Sequence, residues 1–196
     1  MDEKPRILES VTKSLLKGSK SEAFSIIVNN YPFRKLEISH RRYSLYEKMK
    51  VFIKDGFIDR YTGDKLVNPG ILKILSNYFP NDFPYHPNWK MSETYAAYWG
   101  IFPINDHLIP IAQGGIDKES NWVTTSMFNN SKKSNWTLEQ LGWKLHDAGD
   151  IKECDGLTNT FLQLVENDNQ LLEDRYIKKW YNAIKRILKK QECINI

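Results

Sequence analysis

Asp106-His107-Leu108-Ile109-Pro110, then Gly114-Gly115, then Glu119-Ser120-Asn121-Trp122-Val123, then Asn130 and Lys132-Lys133, decide how the rest of this chain is read. A carboxylate beside an imidazole offers one hard oxygen ligand and one group able to accept a proton near neutral pH. Neighbouring side chains on a regular strand point to opposite faces, so Asp106 and His107 can serve one site only where the strand ends. Pro110 and the Gly114-Gly115 loop put that end just after the pair. A second short strand is expected to end at Val123, and a helix to start at Thr125 or Ser126. On that helix Ser126, Asn130 and Lys133 share a face at spacings of four and three. Asn129, Asn130, Ser131, Ser134 and Asn135 favour caps and turns, and a segment that breaks its local propensities is where a functional site is expected. The expected geometry is strand, loop, strand, helix, with an acid, a base, an amide and an ammonium converging.

Outward from this stretch the texture changes on both sides. Residues 6–30 carry helical patterning, broken near Gly18 and closed by Asn29-Asn30-Tyr31-Pro32. A further helix from about Tyr43 to Lys54 spaces Leu45, Met49 and Phe52 by four and three, with Gly56 placed to cap it. From Phe57 to about His146, Gly, Pro, Asn and Asp interrupt short apolar runs such as Ile101-Phe102-Pro103-Ile104. Thr137 and Gln140 form a capping-box pattern flanked by Trp136 and Leu141, which predicts a helix there. A last helix from about Leu171 to Lys190 carries an apolar stripe (Leu172, Tyr176, Trp180, Ile184, Ile187) among seven basic residues. Three regions follow: 1–56 helical, 57–147 mixed, 148–196 helical.

Of the 196 residues, 41% are hydrophobic and 27% charged, enough to bury a core and too mixed for a disordered chain. The net charge of +4 is compatible with a polyanionic partner. No apolar run nears the roughly 20 residues of a membrane span, and the acidic N-terminus does not read as a secretory signal. With only two cysteines, Cys154 and Cys193, and no Cys-x-x-Cys pair, free thiols in the cytoplasm are expected.

The pattern Asp-His, Pro, Gly-Gly, Asn-hydrophobic and Asn resembles the ββα-metal core of HNH endonucleases. The nine-residue step from Asn121 to Asn130 is similar to the variant found in HNH domains of RNA-guided DNA nucleases. Ile58 to Trp143, including His86-Pro87-Asn88-Trp89-Lys90, also resembles a group of bacterial HNH proteins. The resemblance covers under half the chain and leaves both helical flanks unexplained. It implies an α+β fold, a small ββα-metal core with N- and C-terminal helical additions. It also implies hydrolysis of phosphodiester bonds, with double-stranded DNA the preferred substrate. Asp106 and Asn130 would hold one divalent cation, Mg²⁺ or Mn²⁺, and His107 would act as general base. Asn121 would hold the loop and the His107 backbone, and Lys132 and Lys133 would contact phosphate.

Many HNH proteins carry two Cys-x-x-Cys pairs around a structural zinc. The corresponding positions here are Asp59 and Thr62, then Ser126 and Asn129, so no thiolate site forms and no structural zinc is expected. If the four positions converge, their polar groups must bond to one another or to backbone, tying the loop around Asp59 to the start of the Ser126 helix.

Plainer readings stand beside these. Packing is expected for His86 and for Tyr95, Tyr98, Trp99 and Phe102, and surface positions for His40 and His146. The last helix reads as packing first, DNA contact second and a homodimer face third, and Arg41-Arg42 stays open. The rivals to the nuclease are a non-catalytic nucleic-acid-binding module on the same scaffold and a toxin-like nuclease acting on RNA.

Overall fold

The computed structural model describes residues 3–33 and 43–194; His40, Arg41 and Arg42 lie outside the described residues. The chain divides into two units, residues 1–37 and 38–196. In the first, α1 (Glu3–Leu16) and α2 (Lys20–Asn30) pack on each other, broken where Gly18 takes a φ of +77°, as the sequence pattern predicts.

In the second unit, helices surround one two-stranded sheet among the described residues, a mixed α and β architecture. Helix α3 (Leu45–Lys54) starts at a capping box in which the Ser44 hydroxyl accepts from Glu47 N–H and the Glu47 carboxylate accepts from Ser44 N–H. It ends at Gly56, whose φ of +59° favours glycine and whose missing Cβ would meet the Gly149 carbonyl at 2.4 Å. Asn68 caps α4 (Pro69–Tyr78), with proline in the first turn. After α5 (Ala97–Gly100) come β1 (Pro103–His107), β2 (Trp122–Ser126), α6 (Met127–Lys133) and α7 (Leu138–Leu141). Then α8 (Thr158–Asn167) and α9 (Arg175–Ile194) close the unit.

The main core joins α3, α4, α8 and α9. Phe52 and Phe57 are fully buried with their rings 5.9 Å apart, and the Phe52 and Trp180 rings stack at 6.1 Å. Trp180, Ile184 and Ile187 are buried, so these members of the last helix's apolar stripe pack within its own chain. Packing is the first role of α9. Because α3 and α9 share this core, the units differ from the three regions drawn from sequence texture. A second cluster gathers Leu72, Tyr98 and Phe102, with Trp89 edge-on to Phe102 at 4.7 Å. Tyr98 and Phe102 are core residues as expected and Trp99 meets Trp89, whereas Tyr95 stacks on Phe83 at the surface and is not a core residue. His86 is held in its loop by Asn88 N–H and lies 3.7 Å from Glu93, while His146 is exposed. The Thr137 capping box forms, yet α7 lasts four residues because Gly142 turns left-handed at φ +66°.

β1 and β2 pair antiparallel, Asp106 opposite Val123 and His107 opposite Trp122, and α6 packs against both strands. β2 runs three residues beyond the expected end at Val123. Ser126 then caps α6 by accepting from Asn129 N–H. The outer edge of β2 has no third strand among the described residues; two buried carboxylates cover it instead. Asp55 accepts from Thr124 N–H at 2.7 Å and pairs with Arg60 at 2.8 Å, while Arg60 N–H donates to the Thr124 carbonyl at 2.9 Å. Asp59 accepts from Ser126 N–H (2.8 Å), Asn129 Nδ2 (2.8 Å), the Thr125 hydroxyl (2.9 Å) and Tyr61 N–H (2.9 Å). The tie between the loop around Asp59 and the start of α6 is therefore present, built by Asp59, Ser126 and Asn129. Thr62 does not join it, because the turn it occupies points it outward, where its hydroxyl faces Asp64 N–H at 3.4 Å.

Asp59→Ala should cost about 3–5 kcal/mol in urea denaturation, since it strands several buried donors at once. EDTA should lower the wild-type melting temperature by little, because four hydrogen-bond donors already satisfy Asp59 in the tie. A zinc-dependent melting temperature would contradict this account.

Candidate functional site

β1 ends at His107, and the chain then loops back through residues 108–121. Asn121 controls that loop. Its Nδ2 donates to the carbonyls of Ile109 and Ile116, its Oδ1 accepts from Ile109 N–H, all at 2.9 Å, and its own carbonyl accepts from Leu108 N–H. One buried amide thus fixes both sides of the turn directly after His107. Gly115 makes this closure feasible, because a Cβ there would lie 1.9 Å from the Ile109 carbonyl oxygen. The clamp holds the loop that follows His107 through Leu108, Ile109 and Ile116.

His107 is 5% exposed, and among the described residues the hydrogen-bond partners of its side chain all meet one ring nitrogen. Nε2 lies 2.9 Å from Asp117 Oδ1 and 2.9 Å from the Tyr43 hydroxyl, which itself donates to Asp117 Oδ1 at 2.6 Å. The Trp122 indole N–H donates to the same oxygen at 3.1 Å. Burial opposes the charge on Asp117, but the hydrogen bonds from Tyr43, His107 and Trp122 outweigh it and hold the carboxyl below its ordinary range. An ionised carboxylate only accepts, so the proton must sit on Nε2. Nδ1 makes no hydrogen bond among the described residues.

Asp106 is held on the other side of the strand end. Its Oδ2 accepts from the Tyr61 hydroxyl at 2.6 Å and lies 2.9 Å from the Lys133 ammonium. Burial, reinforced by the Asp106 charge, pushes the Tyr61 hydroxyl far above the ordinary phenol range, so it remains a donor. Lys133 is completely buried, and its Nζ also donates to the His107 carbonyl at 2.8 Å. This corrects its expected role: an ammonium enclosed by Asp106 and a backbone carbonyl has no surface to offer a phosphate. Lys133 instead locks the last turn of α6 onto the end of β1. Lys132 stays exposed, its ammonium 4.2 Å from the Phe128 ring, and remains available to a phosphate.

No family model, curated protein or solved structure matches this chain at a significant level. The geometry alone carries the functional reading.

Asn130 lies three residues before Lys133 on α6, on the same helical face, and makes no side-chain hydrogen bond among the described residues. Asp106 Oδ1 is likewise uncommitted there. One carboxylate oxygen and one amide oxygen make a hard donor pair of the sort that Mg²⁺ uses when water and substrate phosphate complete its shell. Among the described residues there is no group of three or more His, Cys, Asp or Glu placed to hold a metal. Asp106 and Asn130 are thus the hard oxygen donors that the hydrogen bonds at this end of the hairpin leave uncommitted.

Asp117 and Tyr43 carry no signal in the sequence. Asp117 is an ordinary loop acid two residues after Gly115, and Tyr43 lies 74 positions away from it.

Because its folded carboxyl pKa is depressed, Asp117 contributes stability that is complete above the ordinary value of about 3.9 and is lost as pH falls through the lower folded value. The melting-temperature gap between wild type and Asp117→Asn should therefore be full at pH 7 and close below about pH 3.9. A gap that widened on acidification would refute the ionised network.

Proposed function

We propose that this protein is a metal-dependent endonuclease of the HNH type, hydrolysing phosphodiester bonds of DNA. The observation that carries this reading is the division of labour at the end of β1. His107 is tethered through Nε2 with Nδ1 unengaged, beside an Asp106 that keeps one oxygen uncommitted. The hairpin followed by α6 is compatible with a ββα-metal core, and no helix among the described residues is long and apolar enough to cross a membrane.

Nδ1 of neutral His107 takes a proton from water as the water oxygen bonds to phosphorus and the bond from phosphorus to the 3′ oxygen breaks. The products are a 5′-phosphate and a 3′-hydroxyl. Such base assistance contributes roughly 10²–10⁴-fold. Asp106 and Asn130 would hold Mg²⁺ or Mn²⁺, which supplies charge stabilisation at the phosphate and the departing oxygen. Asn121 keeps the His107 backbone at the end of its strand, and Lys133 keeps Asp106 beside it. Lys132 adds a point charge for a neighbouring phosphate.

One observation favours the rival module that binds without cutting: the Lys133 ammonium already neutralises Asp106. Supercoiled plasmid with and without Mg²⁺ separates the two. Wild type should nick or linearise it only with metal. His107→Ala should lose about 10²–10⁴-fold in rate, with duplex affinity in EDTA unchanged. A wild type that binds plasmid and never cuts it in Mg²⁺ or Mn²⁺ would leave the binding module standing.

A further inference from the structure

With its apolar face buried, α9 still presents Arg175, Lys178, Lys179, Lys185, Arg186, Lys189 and Lys190. Of these, only Lys185 has a carboxylate partner among the described residues, Glu166 at 3.5 Å. Lys179, Arg186 and Lys190 fall on one stripe at spacings of seven and four. Beside it runs the stripe of α3 that carries Tyr46, Lys50 and Lys54, at spacings of four. The Tyr46 ring lies under three cations: Arg186 at 4.4 Å, Lys190 at 5.4 Å and Lys50 at 5.9 Å from its centroid. Two grooves open around this ring. One, about 530 Å³, is lined by Lys179 and Arg186, and the other, about 300 Å³, by Lys50, Lys54 and Lys190.

Like charges gathered this closely repel one another, and Arg186 and Lys190 meet a ring face in place of an acid. A polyanion laid along the groove relieves that repulsion. The groove also has a direction. Lys50 pairs with Glu119 at 2.7 Å and Lys54 donates to the Trp122 carbonyl at 3.3 Å. Both partners lie in the segment that presents Asp117 and Trp122 to His107.

We propose that the groove between α3 and α9 around Tyr46 binds the phosphate backbone of a DNA duplex whose scissile bond lies at His107. This rests on the nuclease reading for the location of cleavage, and on charge and geometry alone for binding. Phosphates are what the groove touches, so it reads no base sequence.

Removing α9 would not test this, because Trp180 and Ile184 belong to the core. The full-length Lys179→Ala/Arg186→Ala/Lys190→Ala variant alters side chains at the groove, and Lys185→Ala serves as control. Fluorescence anisotropy with a labelled duplex of roughly 20 base pairs in EDTA reads affinity across a salt series. The triple variant should bind at least about tenfold more weakly, with a salt slope shallower by about 0.9 for each phosphate that is no longer neutralised. The control should follow wild type, and melting temperatures should agree. An unchanged slope and affinity overturns the proposal, as does a wild type that binds no duplex. So does loss of binding to phosphatidylserine vesicles with duplex binding intact. Plasmid cleavage is scored separately. Salt-sensitive binding through these residues without cleavage overturns the nuclease reading and leaves the groove standing, whereas full cleavage with an unchanged slope does the reverse.

Discussion

Everything at the candidate site depends on how the outer edge of β2 is closed. A two-stranded hairpin is marginal by itself, and its free edge exposes backbone groups that must be paired if they are buried. Here Asp55 and Asp59 take the N–H groups of Thr124 and Ser126, while Arg60 N–H takes the Thr124 carbonyl. Two carboxylates do what a neighbouring strand would do, at alternate residues, where the backbone donors of one edge point. Arg60 offsets one of the two buried charges, and four donors satisfy the other. The same bonds hold the first turn of α6 to the loop after α3. Strand, helix and helical body are thus joined by one polar seam.

On this foundation the reactive end of β1 is positioned by subtraction. Each candidate group has one atom engaged and one left over. His107 gives Nε2 to Asp117 and Tyr43 and keeps Nδ1; Asp106 gives Oδ2 to Tyr61 and Lys133 and keeps Oδ1. Orientation is imposed through the committed atom, and chemistry is left to the other. Asn121 serves a different purpose, since its amide is used up inside the loop and only shapes the turn.

The local part of this arrangement is legible in the sequence. Pro110 and the paired glycines mark the strand end, Asn121 sits where a loop clamp is needed, and the missing cysteines at Asp59, Ser126 and Asn129 imply a polar substitute. What escapes is set by distant partners. Asp55 is an unremarkable residue after a helix until Thr124 meets it 69 positions on. Asp117 acquires its role from Tyr43 and His107. Lys133 reads as a surface cation because lysines usually are; helical phase puts it beside Asn130, but only the packing of α6 onto β1 shows that it is enclosed. The capping chemistry at Thr137 is written in four residues, whereas the length of that helix is not, because Gly142 ends it within a turn.

The seam between Asp59 and Ser126 spans 67 positions, and α9 must fold back onto α3 to complete the core around Phe52. Closing such long loops has to precede the interactions that reward it, so these pairings come late in folding. During synthesis the hairpin can form its own ladder early. The partners of its edge, Asp55, Asp59 and Arg60, have already emerged when Ser126 appears, whereas one wall of the hydrophobic core is missing until Ile187 has emerged. The order of translation therefore supplies the polar seam first, and the hydrophobic body waits for α9.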